Sequence, residues 1–260
     1  MSQNNILIPI DFSEQSHIAL GQSYNLAKFT GSTITLLHIA VGSEPDAQNK
    51  LDKLAQEVST QSGLQVNTMI VKGKIHEQII KTAEKINAIV IVLGFKSLKG
   101  VMKLLERSAC PVITIKGKDH HNGCKNIVLP LDMTEATREK VSKAIEFAKF
   151  FNSTIHIISV RLHTHKRHEK KMIAYSHQVQ KFIKEKGIPC TIITKEGKDI
   201  AQLILDYAHE IKADLIMIMS QREFNLKNLF VGTTAQRIVE LSEVPILSIR
   251  PMRRKSVARY

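Results

Sequence analysis

The 260-residue sequence lacks tryptophan, and aromatic residues make up only 5% of it. Proteins that bind single-stranded nucleic acid stack bases on aromatic side chains, so this scarcity argues against such a role. The net charge of +13 permits weak attraction to polyanions. Part of the excess lies in two short segments, 163–171 and 250–259, which we interpret as solvated surface. We therefore expect no nucleic-acid partner.

Cysteine and long hydrophobic runs are scarce as well. Cys110, Cys124 and Cys190 show no CxxC spacing, which favours buried, reduced thiols over a disulfide framework. The longest apolar runs, near 88–94 and 213–219, have the length of strands, and the first residues carry no basic signal-peptide region. The sequence predicts a cytoplasmic protein with no membrane segment.

Known catalytic motifs are also missing. The sequence contains no Gly-x-Ser-x-Gly elbow, no HExxH and no Walker A pattern. His17 and His38 have no obvious Ser or Cys partner, so we expect core or capping roles for them. These absences favour a protein that is not an enzyme.

What the sequence does contain is a duplication. The segment "NNILIPIDFSEQSHIALGQSYNLAKFTGSTITLLHIA" (4–40) matches "KNIVLPLDMTEATREKVSKAIEFAKFFNSTIHIISV" (125–160) at a constant offset of about 121 positions, which pairs Asp11 with Asp132. The repeated unit is about half the chain, a far longer period than solenoid repeats show. The sequence therefore predicts two copies of one folding unit.

The boundary between the copies falls in the polar stretch "KGKDHHNGCK" (116–125). We expect a first domain over residues 1–117, a linker over 118–124, and a second domain with a basic tail over 125–260.

Within each half, short β-branched runs alternate with helical patterns. Helices are predicted over 14–30 and 135–151, with Ser13 and Thr134 as their N-caps. The predicted strands are 5–10, 33–40, 64–71, 88–94, 111–116, 126–131, 154–161, 189–194, 214–219 and 245–250. Alternating β and α elements with continuously apolar strands indicate an α/β fold with two doubly wound, five-stranded parallel-sheet units in tandem.

The order of these motifs resembles the universal stress protein (UspA) family in its tandem form. The resemblance rests on the strand-Pro-x-Asp-x-Ser/Thr pattern and on "STITLLHI", "ADLIMIM", "GTTAQRIV" and "VPILSIR", and it covers nearly the whole chain. It implies a Rossmann-like strand order 3-2-1-4-5 and protein partners. It also implies dimer-like pairing of units, often through the last strand, which the two halves can supply internally as a pseudo-dimer. Further pairing into a homodimer stays open.

Family members that bind ATP share a Gly-x-x-Gly, nine residues, Gly-Ser/Thr loop after the fourth strand. Glycine lets backbone N–H groups approach phosphate oxygens at a helix N-terminus. In the second half, Gly232-Thr233 match the end of this loop, whereas Met219 and Arg222 replace its two leading glycines. Asp132 matches the family's aspartate after the first strand.

The resemblance implies that ATP or another small phosphate ligand would bind the second domain. The candidate ligand-binding residues are Asp132, Arg222, Gly232, Thr233 and Thr234. Two interpretations stay open. In the first, Met219 closes the pocket, and Gly232-Thr233 are a simple turn and N-cap. In the second, the guanidinium of Arg222 binds phosphate where glycine N–H groups would otherwise do so.

The first half has lost more of this loop. Gly94 matches Met219, but nine residues are missing before Pro111 relative to the second half, and no Gly-Ser/Thr precedes the helix. We expect no family-like ATP binding there, and we expect Asp11 to be a turn or capping residue.

A histidine cluster follows the second strand of the second half. His163, His165 and His168 could bind zinc or another borderline metal. The same basic segment could instead be solvated, or could meet an anionic ligand.

Together these features favour a non-enzymatic, tandem stress-response scaffold or regulator that acts through protein contacts. Two alternatives remain: a sensor of ATP or another phosphate compound through the second domain, and a metal-responsive module through the histidine cluster.

Overall fold

The computed structural model describes residues 4–117, 123–132, 137–161, 166–220 and 230–251, with the backbone alone at 166–170 and 230–233. The elements of the first half are β1 (Asn5–Pro9), α1 (Glu14–Thr30), β2 (Thr33–Ala40), α2 (Ala47–Ser62), β3 (Val66–Lys72), α3 (Ile75–Lys85), β4 (Ala88–Gly94), α4 (Val101–Arg107) and β5 (Val112–Ile115). Those of the second half are β6 (Asn126–Pro130), α5 (Thr137–Phe151), β7 (Thr154–Arg161), α6 (Lys166–Glu185), β8 (Cys190–Glu196), α7 (Ile200–Glu210), β9 (Leu215–Met219), α8 (Phe230–Leu241) and β10 (Ile246–Ile249).

The strands form one ten-stranded sheet in the order β3-β2-β1-β4-β5-β10-β9-β6-β7-β8. Each half keeps the order 3-2-1-4-5, and the pairing within each half is parallel. The predicted α/β class with two doubly wound units is therefore confirmed. The units are joined edge to edge, because β5 and β10 pair in antiparallel fashion.

The sheet separates two apolar core layers. Successive strand residues point to opposite faces, so Ile6 and Ile8 contribute to one layer and Leu7 to the other. The first layer receives buried residues from α1, α2, α5 and α6, and the second from α3, α4, α7 and α8. All eight residues of β2 are buried, as expected for a parallel strand covered on both faces.

Local signals set the ends of α1. The side chain of Ser13 accepts a hydrogen bond from the Ser16 amide at its start, and Gly31 closes it in the left-handed region with φ of 60°. The predicted range 14–30 is confirmed. In the second half α5 is described from Thr137, and the predicted cap Thr134 lies outside the described residues.

The two halves meet along β5 and β10. Ile113 pairs with Leu247, and Thr114 Oγ1 donates to the Ile246 carbonyl at 3.4 Å. This antiparallel pairing gives the last strand of each unit a neighbour, so neither strand is an exposed edge.

Two basic side chains reinforce this junction reciprocally. The Lys116 ammonium donates to the Glu240 carbonyl near the end of α8, and the Arg250 guanidinium donates to the Arg107 carbonyl at the end of α4. The carbonyls at a helix C-terminus lack intrahelical partners and attract cations. Each half thus binds a helix end of the other.

All three cysteines are free thiols. Cys124 and Cys190 are buried and Cys110 is partly buried, and burial raises the pKa of each thiol to about 12. Among the described residues, no helix combines the length and apolar character that a membrane crossing requires.

Candidate functional site

The strand order reverses between β6 and β9, where ligands of open α/β sheets bind at the carboxyl ends of the strands. The two strands pair only through Ile127 with Leu215 and Val128 with Ile216. Both strands continue beyond this short ladder, and the space at their carboxyl ends is the candidate crevice of the second half.

Asp132 stands at the mouth of this crevice, after β6. Thr137, in the first turn of α5, is fully buried and its hydroxyl donates both to the Asp132 carbonyl at 3.1 Å and to the Asp132 carboxylate. The hydroxyl therefore fixes the direction of a carboxylate that could accept further hydrogen bonds from a ligand.

Tyr175 of α6 belongs to the same group. Burial, and secondly the negative charge of Asp132, raise the pKa of its phenol, against the opposing effects of Arg138 and Thr137. Because the phenol stays protonated, it can donate a hydrogen bond at the edge of the crevice.

Lys140 lies deeper, with only 3% of its surface exposed. Its ammonium donates to the Pro130 carbonyl at 2.5 Å, at the carboxyl end of β6. A buried charge is costly unless hydrogen bonds or opposite charge compensate it. The equivalent position in the first half is Ala19, so this cation belongs to the second half alone.

The residues after β9 complete the crevice. Met219 is partly buried and packs on the core layer that α5 covers, and the Ser220 amide donates to the Ile249 carbonyl at 2.9 Å. Gly232, Thr233 and Thr234 lie near the start of α8, where the helix N-terminus favours an anion.

A bidentate ion pair positions α8. The Arg237 guanidinium on α8 donates to both carboxylate oxygens of Asp199 at 2.9 and 2.8 Å, and Asp199 also caps α7 by accepting from the Gln202 amide at 3.1 Å. The hydrogen bonds from Arg237, followed by that amide, lower the pKa of Asp199. The helix that carries Gly232 is thereby tied to the start of α7.

The corresponding crevice of the first half is closed by α1. A Cβ placed on Gly94, the last residue of β4, would lie only 1.9 Å from the Gln15 carbonyl oxygen and 3.0 Å from the Ser16 amide nitrogen. The first turn of α1 therefore rests directly on the strand end. Gly94 serves this contact between two backbones, and the space beside it is occupied by protein.

Asp11 has the turn role that the sequence predicts. Its carboxylate accepts the Ser13 amide at 3.0 Å. Burial would raise the pKa of Asp11, but hydrogen bonds from Ser13 and Ser16 outweigh it and lower the pKa. The carboxylate is oriented by its own turn at the start of α1.

His38 also has a structural role. Its Nδ1 lies 2.8 Å from the Ile10 carbonyl and its Nε2 lies 2.7 Å from the Glu44 carboxylate. Both ring nitrogens are thus engaged in polar contacts within the first half. His17, another histidine of this half, contacts the Ser13 carbonyl at 2.8 Å.

Several predicted site residues lie outside the described part of the chain. These are Arg222 and two of the predicted metal ligands, His163 and His165. His168, Gly232 and Thr233 are described by backbone alone. No group of three or more metal-binding side chains occurs among the residues that were described, and the histidine prediction is untested.

Sequence reasoning missed three members of the second-half cluster, namely Thr137, Lys140 and Tyr175. Thr137 and Lys140 fall on a helix whose sequence alternates charged and apolar residues, so nothing separates them from its solvated face. Comparison of the two copies places Lys140 opposite Ala19, but neighbouring pairs such as Ile18 and Glu139 differ as much, so this gives no clear signal.

A model of the universal stress protein family matches the chain twice, over residues 3–116 and 123–250. The chain is 25% identical over 148 residues to a universal stress protein of Methanocaldococcus jannaschii, over 51% of this chain and 86% of the relative. It is 30% identical over 131 residues to a universal stress protein of Synechocystis, over 42% of this chain and 83% of the relative.

Solved structures show the same architecture. The crystal structure of a universal stress protein from Archaeoglobus fulgidus superposes with a TM-score of 0.74 at 19% identity, and the match covers 97% of this chain and all of the other. A functionally unknown protein from Pseudomonas aeruginosa superposes with a TM-score of 0.73 at 22% identity, over 96% of this chain and 93% of the other. At these identities the likeness concerns the fold.

Proposed function

Since the chain belongs to the universal stress protein family, we propose that it is a non-enzymatic regulator of the stress response that acts through protein contacts. Family membership supports the stress-response role. The observation that carries the rest of the proposal is the closed crevice of the first half, where the Gln15 backbone fills the space beside Gly94. In this proposal the first half is a structural and interaction unit.

The absence of a reactive nucleophile among the described residues supports a non-catalytic role. Each of the three thiols has its pKa raised to about 12 by burial, so the reactive thiolate form is scarce at neutral pH. His38 has both ring nitrogens engaged in contacts within the first half.

A second candidate function is favoured by the cluster in the second half. Asp132, Thr137 and Tyr175 converge at the strand switch point, and the start of α8 faces the same edge of the sheet. An oriented carboxylate suits the hydroxyl or amino groups of a nucleoside, and a helix N-terminus suits phosphate. In this version the regulator senses ATP or another phosphate compound.

A thermal-shift screen separates the two candidates. The purified chain is heated with ATP, ADP, AMP and pyrophosphate at millimolar concentration. The regulator that needs no ligand predicts no shift with any of them. The sensor predicts a shift that Gly232→Glu abolishes and that Asp132→Asn weakens.

The duplication supplies the matched control, because Asp11 occupies the equivalent position in the closed half. Asp11→Asn should leave any ligand-dependent shift unchanged. Equal loss of the shift in Asp11→Asn and Asp132→Asn would contradict a ligand site confined to the second half.

A further inference from the structure

We propose that the seam between α1 and α5 carries a docking surface for an acidic, partly apolar segment of another protein. The surface, named here the aromatic patch, consists of Phe29, Phe150 and Phe151 with Lys28 and Lys149 beside them. This inference rests on the proposed function, because it assigns a surface to the protein contacts of the regulator.

The patch is built by both copies of the repeated unit. Phe29 in the last turn of α1 and Phe150 in the last turn of α5 are equivalent positions, 121 residues apart, and they are 56% and 36% exposed. The ring of Phe29 lies 5.0 Å from that of Phe151, centroid to centroid. Aromatic side chains of the two halves therefore meet at the seam between α1 and α5.

A recess adjoins these rings. A cavity of about 60 Å³ lies between α1 and α5, and its lining includes Asn25 and Leu26 from α1 together with Phe147 and Phe151 from α5. This is several times the ~10–15 Å³ that one water needs. Phe151 belongs to both the patch and the cavity wall, so an apolar group on a partner could reach the recess.

Single exposed apolar residues are ordinary on protein surfaces, whereas contiguous ones beside a recess are typical of interaction sites. The remaining large exposed apolar residues among those described are scattered over other elements, for example Ile75 on α3 and Phe182 on α6. Phe182 lies under the Lys186 ammonium, 5.4 Å from its ring centroid. The clustering is thus a property of the seam between α1 and α5.

The charged side chains around the aromatic patch indicate what kind of partner would bind there. Lys28 and Lys149 are exposed and adjoin Phe29 and Phe150 in the sequence, and Lys125 is exposed directly after Cys124, which lines the cavity. The exposed carboxylate one turn away, Glu146, is bonded to Lys143 at 2.7 Å. The carboxylate of Asp214 lines the recess and accepts the Asn126 amide at 2.8 Å, so the exposed charges beside the rings are mainly cationic, which complements an acidic partner.

The same geometry disfavours two other occupants. A second copy of this chain would bring its own Lys28 and Lys149 against the same residues, and like charges oppose such pairing. A nucleic acid would need ring faces open for stacking, but the rings of Phe29 and Phe151 are tilted by 58° and contact each other.

The test places a photo-reactive benzoylphenylalanine at position 29 of the full chain, expressed in its native cells. Cross-linked peptides are identified by mass spectrometry. We expect a partner segment with an excess of Asp and Glu and at least one large apolar residue at the point of attachment. The double variant Lys28→Glu, Lys149→Glu should reduce the cross-link yield at least fivefold.

A matched control carries the same photo-reactive residue at position 182, an exposed phenylalanine on α6. It should not give the segment captured from position 29. Circular dichroism and thermal melting verify that the variants fold, which is expected because the substituted side chains are exposed.

Four outcomes would contradict the proposed docking surface. Position 182 could capture the same segment as position 29, or position 29 could cross-link to a second copy of the chain, to a nucleic acid, or to nothing. None of these outcomes contradicts the proposed regulator function if a protein partner is found to bind another surface of the chain. The regulator proposal fails separately, if the thermal-shift screen shows a nucleotide site and no protein contact is found anywhere on the chain.

Discussion

Gly94 and Met219 show how one position can be used in opposite ways by two copies of a unit. Both end the fourth strand of their half and both face the helix that follows the first strand. At Gly94 the absent side chain admits the Gln15 backbone, whereas at Met219 a side chain packs on the core. Glycine at a strand end therefore has a structural explanation here, although the sequence pattern resembles a remnant of a phosphate loop.

Substitution of Gly94 tests this explanation. Gly94→Ala places a Cβ 1.9 Å from a backbone oxygen that cannot rotate away, and we expect a loss of at least about 2 kcal/mol in the free energy of unfolding. Urea denaturation followed by circular dichroism measures it. Gly197→Ala is the control, since its Cβ would meet only the flexible Leu203 side chain at 2.9 Å, and its loss should be under half as large.

The contact between His38 and Glu44 predicts the direction in which the stability of the protein changes with pH. The amide of Val41 first, and the ring of His38 second, lower the pKa of Glu44 below its ordinary value of 4.5. A carboxylate with a lowered pKa in the folded state stabilises the protein above the unfolded value, and this contribution is lost as pH falls through the folded pKa. Glu44→Gln should therefore lower the melting temperature at pH 7.

This difference should shrink steadily below pH 4.5 and vanish in strong acid. Glu57→Gln, at an exposed glutamate of α2, should show no such pH-dependent difference. A melting-temperature difference for Glu44→Gln that stayed constant from pH 7 to pH 3 would show that stabilisation by Glu44 does not depend on its ionised carboxylate.

The thiols give a third prediction at this scale. Burial raises the pKa of Cys110, Cys124 and Cys190 to about 12, so at pH 8 about one thiol in ten thousand is ionised. Iodoacetamide at pH 8 should modify the folded protein far more slowly than the urea-unfolded protein. Rapid labelling of any one thiol in the folded chain would indicate a locally exposed, reactive cysteine.

Individual side-chain roles were only partly predictable from the sequence. Ser13 and Asp11 act within a few residues of their own position, and local roles of this kind follow from sequence patterns. Lys140 bonds to a carbonyl ten residues away, and Tyr175 reaches Asp132 from a different helix. Such contacts depend on how helices sit on the sheet, which periodicity does not specify.

At the scale of elements, α8 is the helix on which the proposed ligand site depends. Its start carries Gly232 and Thr234, and its one ion pair within the described residues joins Arg237 to Asp199 at the N-terminus of α7. Asp199 thus has two functions, since it caps α7 and anchors α8. The first half has Lys74 as the cap of the matching helix α3, so it lacks this anchor.

A double-mutant cycle tests the anchor. Asp199→Asn and Arg237→Gln should each lower the melting temperature at low salt, and the double variant should lower it by less than the sum. The two single variants should lower it by similar amounts, because asparagine keeps a side-chain oxygen that can accept the Gln202 amide. High salt should reduce the coupling, since both side chains are exposed. Full additivity at low salt would contradict a direct pairing.

Elements were the best predicted level of the structure. The predicted strands 33–40, 88–94 and 154–161 have the observed bounds, because β-branched runs buried on both faces are an unambiguous pattern in a parallel sheet. Other strand ends differ by one or two residues, as at β8, predicted over 189–194 and observed over Cys190–Glu196. In β8, an edge strand, exposed residues alternate with partly buried ones towards the carboxyl end. The apolar pattern that predicts a strand is therefore weak where β8 meets the following turn.

At the scale of the whole molecule, duplication lets one chain use an internal pseudo-dimer to protect its strand edges. The pairing of units through the last strand was implied by family resemblance, whereas composition and periodicity did not predict it. The reason is physical: β5 and β10 are short, buried strands of only four residues each, and their apolar runs do not reveal which neighbour covers them. The sheet's two outer edges are consequently β3 and β8.

The hydrogen bonds that Lys116 and Arg250 form across the junction of the two halves lead to the last prediction. Lys116 and Arg250 each donate to a carbonyl near the C-terminus of a helix in the opposite half. Cations at such helix ends contribute about 0.3–1 kcal/mol each. The double variant Lys116→Ala, Arg250→Ala should therefore lose about 0.6–2 kcal/mol in the free energy of unfolding, while Lys103→Ala on α4 should change it little. In calorimetry the parent chain should unfold in one transition, because β5 and β10 share hydrogen bonds and core residues across the junction. If the parent already melts in two separate steps, the halves are independent and these hydrogen bonds do not couple them. If the double variant alone splits into two steps, the two side chains are what make the ten strands behave as one cooperative sheet.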